Sequence, residues 1–161
     1  MCLRHPCIQM DEKISSEFFG LLFNLCIKST TSPYSLGESI GNRLADDFIL
    51  HTGISRKLSI DEFVHTVQND FFPHYFSYSP KRRGNVLLFK HFNVFAHMRD
   101  AKGALNVFAG ILNVIGACLC DDISVKAEDG NVNERGIVFN DRKNEKMKFY
   151  NVEMQNDDTS T

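Results

Sequence analysis

The chain has 161 residues, of which 43% are hydrophobic and 24% charged, and its formal net charge is −2. That length suits one domain with a core of its own, and the composition excludes a disordered, collagen-like or disulfide-dense chain. A charge so close to zero gives no overall pull toward nucleic acid or anionic lipid, so such binding would need a local patch.

Residues 1–14 are expected to be a flexible N-terminus, residues 15–142 a single domain, and residues 143–161 a polar C-terminal tail. The opening MCLRHPCIQMDEK has no continuous apolar run of the kind a secretory leader needs. Five cysteines, an odd number at irregular spacing, then read as reduced cytosolic thiols. Cys2, His5 and Cys7 lie close together but lack a fourth ligand, so no metal is expected there.

A first helix is predicted from about Ser15 to Lys28. Glu17, Gly20, Asn24 and Lys28 fall on one narrow strip, while Phe18, Phe19, Leu21, Leu22, Phe23, Leu25, Cys26 and Ile27 cover roughly two thirds of the circumference. A helix docked only on its own core needs a narrower stripe, so this one is expected to be buried on two sides. A Ser/Thr/Pro turn (Ser29 to Pro33) leads to a second helix ending near His51. On it Leu36, Ile40, Leu44 and Phe48 form one ridge, and Gly37, Gly41 and Ala45 a neighbouring ridge of small residues that lets another helix approach closely. The apolar excess of the first helix beside that ridge points to a partner surface, with Phe18, Leu22, Leu25, Ile40 and Leu44 as its candidates.

The third helix carries a capping box, Ser59 with Glu62, and Leu58 and Phe63 at the staple positions; Pro73 is expected to stop it. The loop YSPKRRGN follows, with Lys81-Arg82-Arg83 the densest basic run, read as solvated. Val86 to Phe95 reads as one or two strands. The stretch from Gly103 to Cys120 is uncharged and reaches the length of about 18 residues at which a membrane span is considered, but Asn106, Asn113 and glycines dilute it. A buried core helix over about Ala101 to Cys120 is the expectation, ended by Asp121-Asp122. Ile123–Ala127 and Ile137–Asn140 read as a hairpin around Asp129-Gly130.

Catalytic signatures are not found. GxxxxGK[ST], GxGxxG, GxSxG and HExxH do not occur, so nucleotide binding or hydrolysis by the chain alone is not expected. Cys118 and Cys120 would point about 200° apart on a helix and cannot share a metal there. His65 and His97 read as structural or surface residues, and Asp46-Asp47 diverge too far for a carboxylate dyad. No cofactor is implied.

Taken in order, SSEFFGLLFNLC, then LGESIGNRLADDFI from Leu36 to Ile49, then Ser79-Pro80 and VLLFKHFNVFAH, resemble the Bet-three-like small subunits of the TRAPP (transport protein particle) vesicle-tethering complex, and most of all the Bet-three branch. The family's G-x-R-L-x-x-D-F string is matched by Gly41, Arg43, Leu44, Asp47 and Phe48, and the similarity spans about Ser15 to Arg142. The resemblance implies an α/β fold of α+β type, with helices against a small antiparallel sheet, and pairing with another subunit through the first two helices. It implies membership of a peripheral complex at the ER–Golgi boundary and cis-Golgi that activates a Rab/Ypt-family GTPase by nucleotide exchange, this chain not being catalytic alone. Some members acylate a cysteine in the loop after the second helix; the aligned place here is Lys57, so acylation is not expected. Phe149 and Tyr150 in the tail are candidates for contact with the GTPase or a partner. A second reading, from another class, is a ligand-sensing domain of the related four-vinyl-reductase type, its small apolar ligand held among the chain's 14 phenylalanines.

Overall fold

The computed structural model describes residues 16–92, 95, 100–129 and 135–143. Helix α1 (Ser16–Ser29) is joined by a short turn to α2 (Pro33–Thr52). Ser32 caps α2, its hydroxyl accepting from the Ser35 N–H, and Pro33 fills the first helical position, where a missing N–H costs nothing. Gly53, at φ 66°, ends the helix in the left-handed conformation that a side chain would disfavour.

Helix α3 (Ile60–Thr66) opens with both halves of the expected capping box: Ser59 accepts from the Glu62 N–H, and the Glu62 carboxylate accepts from the Ser59 N–H. Pro73 does not stop the helical path. A π turn (Val67–Phe71) intervenes, the Phe72 N–H bonding to the Val67 carbonyl five residues back, and a new helix, α4 (Phe72–Phe76), starts with Pro73 in its first turn. The wider turn resets the hydrogen-bond ladder, so proline stands where its missing N–H is tolerated.

Four strands form one antiparallel sheet in the order β1-β2-β4-β3. The basic run expected to be a loop is instead β1 (Lys81–Arg83), turned by Gly84-Asn85 into β2 (Val86–Leu88). Gly84 has φ 60° at the first central position, as a tight hairpin turn requires. Among its described residues the apolar run gives one short strand, after which His91 adopts φ 54° and Phe89, Phe92 and Phe95 are buried. Helix α5 (Ala101–Leu119) follows, capped by Asp100, and then the expected hairpin of β3 (Ile123–Asp129) and β4 (Arg135–Asp141), in register at Val125↔Phe139.

Helix α5 is the centre of the fold. It is long and apolar enough to cross a membrane by length and composition, yet 72% of that window is buried against α2 and the sheet. The small-residue ridge is the reason α2 lies so close. A Cβ on Gly37 would come 2.0 Å from the Val107 carbonyl oxygen, and one on Gly110 would come 2.2 Å from that of Tyr34. On the inner face of the sheet Leu87, Ile137, Phe139 and Val125 are buried, and Phe63 meets Phe139 edge-on with ring centres 5.9 Å apart. Phe72 extends the same core to Phe108 and Phe89.

Candidate partner interface

The first helix divides its apolar residues between two sides. Gly20, Phe23 and Ile27 are buried, and Asn24 is half-buried beside them. Gly20 and Asn24, from the narrow strip read in the sequence, thus border the core-facing side. On the opposite side Leu21, Leu22 and Leu25 are 56%, 50% and 65% exposed. Three neighbouring leucines in water are an apolar face of the kind that marks protein–protein contact.

Of the five candidates named from sequence, Leu22 and Leu25 lie on this face, and Leu21, not among them, lies beside Leu25 one turn earlier. The side chain of Phe18 is outside the described residues. Ile40 and Leu44 are half-buried and pack against the chain's own core. The ridge of Gly37, Gly41 and Ala45 is also turned inward, onto α5 rather than toward a partner. Sequence periodicity could mark these positions as apolar or small but could not say which neighbour they meet.

The residues of the family string are mostly architectural. Gly41 seats α2 on Ile111, Phe48 is fully buried and edge-on to Phe71, and Asp47 accepts a hydrogen bond from the Tyr75 hydroxyl. Burial, followed by that carboxylate, pushes the Tyr75 pKa up, so Tyr75 remains a donor. Arg43 is exposed.

Both outer strands are partly closed by side chains. At β3 the Val125 N–H donates to Asn113 Oδ1 at 3.3 Å, and the Val125 carbonyl accepts from Tyr34 at 3.2 Å. At β1 the chain's entry is held by Gln68, which donates to the Pro80 carbonyl at 3.0 Å. Arg82 is drawn back by an ion pair with Asp61, leaving Lys81 and Arg83 exposed. Edges plugged and charged in this way resist strand addition, which leaves the leucine face of α1 as the better docking surface.

Among the described residues, the groove beside α3 does not assemble a reactive centre. A groove of about 480 Å³ between the loop after α2 and α3 is lined by Ile54, Arg56, Leu58, Asp61, Glu62 and His65, and the Arg56 fork is already occupied by Glu62. Lys57 donates to the Cys118 carbonyl at 3.1 Å and lies 3.7 Å from Asp121. Cys118, on the last turn of the long helix, is exposed, whereas Cys120 follows that helix in an extended conformation and is buried. Among the described residues no group of three or more His, Cys, Asp or Glu could hold a metal. Cys2, His5, Cys7, His97, Phe149 and Tyr150 lie outside the described residues.

Neither the sequence profiles of known families nor the curated protein sequences match this chain. The architecture does have a match. The crystal structure of a trafficking protein particle complex subunit 3 from Naegleria fowleri, covalently bound to palmitic acid, aligns with a TM-score of 0.61 at 14% identity, covering 80% of this chain and 95% of that one. The fold resembles that of this TRAPP subunit. Helices packed on a four-stranded antiparallel sheet are therefore shared at an identity where few side chains are, and the likeness shows the fold alone.

Proposed function

We propose that this chain is a subunit of a multisubunit vesicle-tethering complex of the TRAPP type, which it joins by pairing with another subunit through the outer face of α1. The observation that carries the reading is the TRAPP-subunit fold with Leu21, Leu22 and Leu25 left exposed on the side of α1 away from the core. The complex acts in ER-to-Golgi transport at the cis-Golgi, from the cytoplasm, and is peripheral to the membrane. The chain is not catalytic alone; within the complex it contributes to guanine-nucleotide exchange on a Rab/Ypt-family GTPase, with Phe149 and Tyr150 in contact with the GTPase or a partner. Lys57, held to Cys118 and Asp121, occupies the place aligned with the acylated cysteine of some members, and the chain assembles without an acyl group there.

Affinity purification of the full chain followed by mass spectrometry tests the reading. Recovery of other TRAPP subunits is the expected result, and a chain that purifies alone or with unrelated partners would overturn it. Deleting residues 146–161 then tests the tail: exchange by the reconstituted complex should fall while assembly is retained.

A further inference from the structure

The elements of this fold are not fastened equally. Helix α2 is locked to α5 by backbone approach at Gly37, Gly41 and Gly110, and to the sheet by Tyr34. Strands β3 and β4 are paired over seven residues and lie against α5. Among the described residues, helix α1 shows fewer ties to α5 than α2 does. Of its apolar side chains described, only Phe23 and Ile27 are buried, and both reach the N-terminal half of α5. Phe23 meets Phe108 with ring centres 5.9 Å apart, and the Cγ2 methyl of Ile27 sits in the notch over Gly103, where an added Cβ would come 2.8 Å from it.

A helix of 14 residues is marginal by itself in water, so α1 depends on whatever surface it is docked against. Among the described residues, α1 has Phe23 and Ile27 buried on one side and three exposed leucines on the other, a side that a partner would cover.

We infer that α1 is a detachable strap: in the unpaired chain it opens as a unit from a preformed body of α2, α5 and the sheet, and a partner closes it by covering the leucine side. Opening uncovers Phe108 and the Gly103 notch. Its consequence for assembly rests on the pairing reading above: Ile27 and Gly103, which face away from the partner, then help set the strength of pairing. Binding energy gained on the leucine side is diminished by the cost of closing the strap, so weakening the inner contact weakens the outer one.

Hydrogen exchange followed by mass spectrometry on the monomeric full chain, wild type and Ile27→Ala, is the test. In the wild type, amides of residues 16–29 should exchange through a local opening insensitive to low urea, while those of α5 respond to urea as global unfolding does. Ile27→Ala weakens the closed form alone and should speed exchange in 16–29 and in α5 by the same factor, about 30-fold or more. A second variant, Tyr34→Phe, removes a contact the opened form keeps, and should speed α5 by about two- to tenfold while leaving 16–29 within about twofold. Exchange of α1 at the same urea-sensitive rate as α5, or equal acceleration of 16–29 and α5 by Tyr34→Phe, would overturn the strap. Because the measurement uses the monomer, it is independent of whether TRAPP subunits co-purify; the absence of a partner would remove the pairing reading and leave the opening itself decided.

Discussion

The hydroxyl of Tyr34 donates to the Val125 carbonyl at 3.2 Å, tying the start of α2 to the outer edge of β3 across 91 positions of sequence. With Asn113 holding the N–H of the same residue, both outward groups of Val125 are satisfied without another strand. Tyr34→Phe should leave the fold intact and lower stability by about 0.5–1.5 kcal/mol, read as a shift in the urea midpoint. No change would mean that water replaces the hydroxyl at that carbonyl without cost.

The α2–α5 contact makes a prediction of opposite sign to helix propensity. Alanine is favoured over glycine within a helix by about 1 kcal/mol, so Gly37→Ala would stabilise an open position. Here the new Cβ meets a backbone oxygen at 2.0 Å, which no side-chain rotation relieves. Gly37→Ala and Gly110→Ala should each destabilise by at least the overpacking range of about 1–3 kcal/mol, measured by thermal unfolding.

Much of this architecture was legible in the sequence, and the exceptions have identifiable causes. Local chemistry was read correctly at the Ser59–Glu62 box, the ends of α2 and α5, and the last hairpin, because each depends on residues a few positions apart. The path through Pro73 was missed because a π turn depends on what Phe71 and Phe72 must reach in the core, not on proline's own preference. Lys81–Arg83 became a strand because Leu87, paired with Arg82, required a neighbour in the sheet. For the candidate interface, periodicity showed that α1 had more apolar surface than one core could cover. Assigning Ile40 and Leu44 inward and Leu21 outward required the position of α5.

The capping box also gives a pH dependence. Hydrogen bonds from the Arg56 side chain, followed by the Ser59 backbone, hold the Glu62 pKa down at about 2. A folded-state pKa below the unfolded one of 4.5 means a stabilising contribution present above that value and lost as the pH falls toward 2. The gap in urea midpoint between wild type and Glu62→Gln should therefore narrow from pH 5 to pH 2. Both partners are largely exposed, so added salt should narrow it as well. A gap that stays constant across this range would show that the carboxylate's charge is not what caps the helix.

Thiol reactivity should separate the three described cysteines. Burial pushes the Cys120 thiol up to about 11, with Lys57 opposing in part, whereas Cys26 and Cys118 are exposed. Iodoacetamide at pH 8, followed by peptide mapping, should modify Cys26 and Cys118 in the folded chain and Cys120 only after unfolding. Modification of all three at similar rates would contradict the packing at the end of α5.

The most direct test is the mass of the complex formed by a Leu22→Asp, Leu25→Asp double variant with the subunit that co-purifies with the wild type, measured by light scattering after gel filtration. Both side chains are half or more exposed in the single chain, so the thermal midpoint of its body should stay close to that of the wild type. Carboxylates set into an apolar contact should abolish pairing, and the variant should elute at the mass of one chain. A variant that keeps its thermal midpoint and still elutes with its partner at the wild-type mass would contradict the assignment of the α1 leucine face as the partner surface.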